Sequence, residues 1–115
     1  MKFNFNHEKL EVYQLSIKLL SLIFEIIKAM PPGYAFLREQ LKRASLSVPL
    51  NIAEWNAKFS KRERAKFFNI SRASANECAA IFDAAKTIDI VSDENCQKAK
   101  SLLLRIVCML SKLMG

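Results

Sequence analysis

Residues that end or turn a helix are rare in this chain, and three short stretches interrupt its helical pattern. Only two glycines and three prolines occur in 115 residues, which argues against an all-β fold because tight hairpin turns depend on glycine. The interruptions lie at 30–33, 58–60 and 90–93. They predict a single domain over residues 1–115, with helices at about 8–29, 34–57, 61–89 and 93–114.

Apolar residues recur at the three- and four-residue spacing of a helix face. In the second segment this row is Leu37, Leu41, Ala44, Val48, Ile52 and Trp55. The third segment opens with the capping box Ser60-x-x-Glu63. Its predicted inner face is Phe67, Ile70, Ser71, Ser74, Cys78, Ile81 and Ala85. Four helices with short connections predict an all-α fold, an up-and-down (antiparallel) four-helix bundle.

Pro49 lies inside the second segment. A proline within a helix removes one backbone hydrogen bond, and its ring clashes with the preceding turn. We therefore expect the second helix to be kinked near Pro49, at about Leu46–Val48, or to be broken there.

The first and fourth segments are apolar on more than one face. Polar residues of the first segment form one narrow stripe: Glu11, Gln14, Lys18, Ser21, Glu25 and Lys28. Residues 102–110 of the fourth segment are apolar nearly all round. Because large exposed apolar patches mark association surfaces, we expect a homo-oligomer. The alternative is that one or two of these helices are simply central in the bundle.

The three cysteines form no C-x-x-C pair and cannot all pair within one chain, which favours free thiols in a reducing cytoplasm. The N-terminal residues contain no apolar core of a signal peptide. The most apolar stretch, 17–27, is interrupted by polar residues and is shorter than the roughly 20 residues that cross a bilayer. We therefore predict a cytoplasmic protein that does not insert into a membrane.

Polar residues of the second segment share one stripe of the predicted helix: Gln40, Arg43, Ser47, Asn51 and Glu54. Arg43 and Glu54 are three turns apart, so partners must come from another helix, and Ser74 and Glu77 of the third segment are the obvious candidates. We interpret these seven residues as a structural polar network that sets helix register. The alternative interpretation is an active site.

Most of the excess positive charge lies at one place. The chain carries a net charge of +7, and residues 58–72 contribute +5 of it from six basic residues and Glu63. The basic residues are Lys58, Lys61, Arg62, Arg64, Lys66 and Arg72. Cations at a helix start oppose the helix dipole but create an anion site, for which a phosphate backbone is the natural ligand. The alternative is an ordinary solvated face, since no aromatic stacking platform accompanies the charges apart from Phe59.

Motifs of known chemistry are missing from the sequence. His7 is the only histidine, no zinc-ligand spacing occurs, and two glycines cannot build a phosphate-binding loop. We therefore predict no enzyme, no metal, no cofactor and no small-molecule substrate. A cryptic enzyme that uses Glu54, Asn51 and Arg43 would require their stripe to open onto a solvent pocket.

A longer motif carries a family resemblance. The run Gln40-x-x-Arg43-Ala44-x-x-Ser47-Val48-Pro49-x-Asn51-Ile52-Ala53-Glu54 resembles the motif of the four-helix-bundle family that includes the 23S rRNA intervening-sequence proteins. The opening Phe5-x-x-Glu8-Lys9-Leu10-x-Val12-Tyr13-Gln14, the element Ser60-x-x-Glu63-x-x-x-Phe67-Phe68, and Ala73-Ser74-x-x-Glu77 are similar to further parts of that family's sequence. The resemblance covers essentially the whole chain.

The resemblance implies a four-helix bundle, commonly a homopentamer, encoded by reading frames often found within insertions of large-subunit ribosomal RNA genes. Two positions depart from the family pattern, because Trp55 and Ala73 stand where the family has glycine. A bulky residue is strained in a left-handed helix end. We therefore expect the helix to continue past Trp55 to Ala57, with Asn56 taking the turn.

Together these inferences predict a non-enzymatic homo-oligomer, a pentamer by resemblance, that binds ribosomal or other structured RNA through the basic residues at the start of the third helix. The alternative is a protein-interaction scaffold in which the charge only provides solubility.

Overall fold

In the computed structural model of the chain, which describes residues 5–114, a short 3-10 helix at Asn6–Lys9 precedes four α-helices. These are α1 (Glu11–Ala29), α2 (Ala35–Ala57), α3 (Lys61–Thr87) and α4 (Asp93–Met114). Both α1 and α3 pack against α2 and α4, so each α-helix has two α-helical neighbours. The chain is an all-α four-helix bundle, as predicted. Within the described residues, no helix is both long enough and apolar enough to cross a membrane.

The first two helices begin later than the sequence predicted. Leu10 is extended (φ −76°, ψ 126°), so α1 begins at Glu11 rather than near residue 8. Tyr34 has a left-handed backbone (φ 58°), so α2 begins at Ala35. Helical periodicity predicts the approximate extent of a helix, but it does not predict these local changes of backbone conformation.

The third helix ends two residues early because the chain reverses direction there. Asp89 is left-handed (φ 65°), and its N–H donates to the Lys86 carbonyl at 3.0 Å. The N–H of Ile90 donates to the Ala85 carbonyl, also at 3.0 Å. This pair of bonds is a Schellman motif, in which glycine is the usual left-handed residue. The helix therefore ends at Thr87 rather than at residue 89.

The bundle encloses one apolar core. All six residues of the predicted row of α2 are buried, as expected. In α1, where several faces are apolar, packing selects one of them, and the inward residues include Val12, Leu15, Leu19, Ile23 and Ile26. Ile17 and Phe24 of the same helix stay exposed, at 42% and 38%.

The predicted inner face of α3 was partly wrong. Ile70 is 37% exposed, and Phe67 and Ile81 are only half-buried. The buried residues instead follow alternating steps of three and four: Phe68, Ser71, Ser74, Ala75, Cys78, Phe82 and Ala85, with Ser74 beside that seam. Packing between nearly parallel helices favours such a seam, and the three mispredicted residues lie beside it.

Pro49 is buried and lies within an uninterrupted α2, so the expectation of a broken helix was wrong. The hydroxyl of Ser71 in α3 donates to the Val48 carbonyl at 3.0 Å, directly before the proline. Ser71 is fully buried, so this bond ties α3 to α2 in the interior at the place where proline removes a donor. A kink of the helix axis near Pro49 stays a prediction.

The connection between α2 and α3 follows from Trp55. This side chain is only 4% exposed, and α2 continues past it to Ala57, as expected. The expected turn at Asn56 was wrong, because Asn56 is helical and Lys58 leaves the helix in an extended conformation (φ −87°, ψ 147°). Ser60 then caps α3, its Oγ accepting from the Glu63 N–H at 3.1 Å.

Candidate nucleic-acid interface and polar network

The six basic residues singled out in the sequence lie in one stretch, which we call the basic cluster. Lys58 belongs to the connection before α3, and Lys61, Arg62, Arg64 and Lys66 occupy the first two turns of that helix. Arg72 follows farther along α3. Lys61, Arg62, Lys66 and Arg72 are exposed, whereas Lys58 and Arg64 are half-buried.

Four of the six cations lie over aromatic rings. The Arg64 guanidinium is 4.4 Å from the ring centroid of Trp55, and that of Arg72 is 5.3 Å from Phe68. The ammonium groups of Lys58 and Lys66 lie 5.3 and 5.6 Å from the ring of Phe67. Each such contact stabilises by about 0.5–1 kcal/mol at exposed sites and restricts the side chain.

Sequence reasoning missed these rings as part of the cluster. The spacing offered a partial signal, because Phe68 stands four residues before Arg72 on the same helix. The contact between Arg64 and Trp55 joins two helices and has no signal in the local sequence.

Carboxylates neutralise little of the basic cluster. Lys58 forms an ion pair with Glu54, Nζ to Oε2, at 3.5 Å. Within residues 5–114, the other five basic residues have no carboxylate oxygen within 4.0 Å. The partial positive charge of the α3 N-terminus adds to theirs. The cluster is therefore a positively charged surface on the first half of α3 and the connection before it.

A cavity of about 390 Å³ lies at the edge of the basic cluster. Trp55 forms part of its wall and donates from Nε1 to the Met114 sulfur at 3.2 Å. The complete lining is Trp55, Lys61, Arg64, Ala65, Leu113 and Met114. This end of the bundle thus combines an apolar wall with two basic side chains.

Within the predicted polar network, Gln40, Arg43 and Glu77 form a group that joins α2 to α3 through an ion pair. Arg43 donates to the Gln40 Oε1 at 2.6 Å and forms an ion pair with Glu77. The side chains of Arg43 and Glu77 are 57% and 39% exposed, so solvent weakens this pair. The structure thus brings Glu77 to the stripe, on the surface of the bundle.

A second group in the network, formed by Ser47, Asn51 and Ser74, is more enclosed by the protein. The Ser74 hydroxyl donates to the Ser47 hydroxyl at 2.8 Å, and Asn51 Nδ2 donates to the same Ser47 oxygen at 3.0 Å and to the Ser47 carbonyl at 2.8 Å. Ser74 is 7% exposed. Among the described residues, no buried side-chain nitrogen or oxygen lacks a hydrogen-bond partner.

Glu54 does not join the other six network residues. It is exposed and pairs with Lys58, so it extends the stripe toward the basic cluster. The network therefore consists of the Gln40–Arg43–Glu77 group, the Ser47–Asn51–Ser74 group and a separate Glu54. In the part of the chain that the structure describes, no three His, Cys, Asp or Glu side chains converge as metal ligands do.

Cys78 lies beneath the network in the core of α3. Burial, followed by the nearby carboxylate of Glu77, raises the pKa of the Cys78 thiol to about 12. A thiol in this state is protonated at neutral pH and is a poor nucleophile.

Large apolar side chains remain exposed on the outside of the bundle. Ile17 and Phe24 are seven residues apart on α1 and share one face. Leu104 on α4 is 65% exposed, and Phe36 and Leu50 on α2 are 67% and 56% exposed. These side chains are the remainder of the apolar faces that the core does not use.

Comparison with known proteins agrees with this architecture. The family model described as 23S rRNA-intervening sequence protein matches residues 8–112, a range that includes the polar stripe and the basic cluster. A crystal structure of a protein of unknown function from the S23 ribosomal protein family of Bacteroides thetaiotaomicron superposes with a TM-score of 0.84. It shares 18% sequence identity, over 90% of this chain and 98% of that one, which shows a common fold. No curated protein matches the chain.

Proposed function

Because the chain belongs to the 23S rRNA-intervening sequence protein family, we propose that it is a non-catalytic, self-associating bundle that binds structured RNA through the basic cluster. The observation that carries the proposal is the set of five basic side chains without a carboxylate partner among residues 5–114, on the first four turns of one helix. Their charges extend along α3 from its positively charged N-terminus, and a positive surface of this length favours a polyanion over a single small anion as the ligand.

The role of each basic residue follows from its contacts. Lys61 and Arg62 are exposed and lie over no aromatic ring in the described structure, so they are free to reach phosphates. Arg64 lies over Trp55 and donates to the Lys58 carbonyl at 3.3 Å. Arg64 therefore holds the connection in place and presents only part of its guanidinium to a ligand.

Self-association is the second part of the proposal. The exposed face of α1 with Ile17 and Phe24, and Leu104 on α4, would be covered in an assembly. The family resemblance implies a pentamer. Replacing Phe24 and Leu104 with serine should lower the sedimentation mass toward that of one chain. An unchanged mass would show that these residues are not part of the interface.

Three free cysteines agree with a cytoplasmic location.

Salt dependence of RNA binding tests the basic cluster directly. Each phosphate contact contributes about 0.7–0.9 to the slope of log affinity against log salt concentration. The double variant Lys61→Gln/Arg62→Gln should make the fall of affinity with salt shallower, by about 1.4–1.8 in that slope. It should also weaken binding at low salt, because two phosphate contacts are lost.

The matched control is Lys18→Gln/Lys86→Gln, which makes the same change in net charge on α1 and at the far end of α3. It should leave the slope unchanged. If both double variants change the slope equally, net charge and not the basic cluster determines binding. If neither changes it, the cluster does not contact RNA.

A protein-interaction scaffold is the second candidate function, favoured by the exposed Phe36 and Leu50 on α2. Under that alternative, a protein partner is retained after nuclease treatment, and the chain does not bind RNA at physiological salt.

A further inference from the structure

Phe59 is the most exposed large apolar side chain of the described residues. Its exposed fraction is 101%, against 69% for Phe5 and 67% for Phe36. It lies in the middle of the connection between α2 and α3, with Lys58 before it and Ser60 after it. Four of the six cations of the basic cluster lie over other rings, and both faces of the Phe59 ring are open to solvent.

The backbone that carries this ring is held on both sides. Lys58 and Ser60 are both extended, and Arg64 bonds to both of them. Its Nη1 donates to the Lys58 carbonyl at 3.3 Å, and its backbone N–H donates to the Ser60 carbonyl at 3.0 Å. The Ser60 hydroxyl also accepts from the Glu63 N–H. A ligand that meets Phe59 therefore orders little of the chain on binding, which favours affinity.

We propose that Phe59 is a stacking platform for an unpaired RNA base, an inference that rests on the proposed function. Every base has an apolar aromatic face that can stack on a phenylalanine ring. Lys61 and Arg62 follow within three residues and supply the charges for the phosphates on either side of that base. Bases in a continuous duplex are already stacked and cannot reach the ring. The preferred ligand is thus an RNA with a single-stranded loop or bulge.

The first test compares two RNAs that share one stem, a hairpin with an unpaired loop and a blunt duplex of the same stem. The Phe59→Ala variant of the full chain should bind the hairpin about 5- to 150-fold more weakly and bind the duplex as before. Phe59→Trp keeps an aromatic face and should keep the affinity. Phe36→Ala is the matched control, because Phe36 is also exposed but lies at the opposite end of α2.

A spectroscopic measurement separates stacking from a general effect on structure. With 2-aminopurine in the hairpin loop, binding of the unaltered chain and of Phe59→Trp should change its fluorescence, and binding of Phe59→Ala should not. Equal affinity of Phe59→Ala and the unaltered chain for the hairpin overturns the proposal. An equal loss on hairpin and duplex overturns it too, as does a changed sedimentation mass, which would mean that a second copy covers the ring.

The two proposals fail in different ways. If Lys61→Gln/Arg62→Gln lowers the salt slope while Phe59→Ala has no effect, only the stacking proposal is overturned. If the salt slope does not respond to the basic residues, RNA binding by the cluster is overturned and the stacking proposal with it.

Discussion

Replacing Ser74 with alanine removes a hydroxyl that joins α3 to α2. The Ser47 hydroxyl, 2.8 Å away, still accepts from Asn51 at 3.0 Å, so one hydrogen bond is lost and no polar atom of Ser47 is left without a partner. Such a bond contributes about 1 kcal/mol to the free energy of unfolding. Alanine returns about 0.5 kcal/mol through its higher helix propensity. The net cost is therefore about 0.5 kcal/mol.

Replacing Ser47 instead should cost more. The Ser74 hydroxyl, on a residue that is 7% exposed, then loses its acceptor and keeps the penalty of burial. We expect a net cost of about 1.5 kcal/mol for Ser47→Ala. In the double variant no hydroxyl is left unpaired, so its cost should be about 1 kcal/mol smaller than the sum of the single costs. Helix propensities add and cancel in this cycle.

The assay is urea unfolding followed by circular dichroism, at one protein concentration because self-association shifts the midpoint. Ser21→Ala, at an exposed position of α1, measures the propensity gain alone. A coupling energy within about 0.3 kcal/mol of zero would refute the reasoning that the Ser47–Ser74 bond connects the two helices.

Three further predictions follow from the helix ends and the core. Asp89→Gly should raise the free energy of unfolding by about 0.5–1 kcal/mol, because glycine is unstrained at φ 65°, and a lower melting temperature would contradict this. Trp55→Ala should lower the free energy of unfolding, measured with urea, by about 3–5 kcal/mol, because the side chain is 4% exposed and contacts Arg64. Trp55→Phe should lower it much less. In a thiol-reagent assay at pH 8, the exposed Cys108 should react quickly and Cys78 slowly, since its buried thiol has a pKa of about 12; three fast thiols in the native protein would contradict that burial.

Much of the candidate site was predictable because its residues are close in sequence. Ser47 and Asn51 are one helical turn apart, and the structure joins them by a hydrogen bond. The six residues of the basic cluster lie within fifteen consecutive positions, 58–72, so its charge is visible in the sequence without a fold. The predicted partners Ser74 and Glu77 also meet the stripe, because α2 and α3 are consecutive helices with a short connection.

Tertiary packing decided what local spacing left open. Phe68 and Phe82 lie on the inner face of α3, where the sequence predicted Phe67, Ile70 and Ile81. The face that turns inward depends on the shape of the opposing helices.

What the sequence by itself determined is the set of four helices and the apolar row of α2, because capping and helical periodicity depend on residues within a turn or two of each other. Only the tertiary structure decided that α1 buries Leu19 and exposes Phe24, that Arg64 lies over Trp55, and that Glu54 stands apart from the network. Each of these outcomes depends on atoms of different helices, and the distances between those atoms are not fixed until the helices pack together.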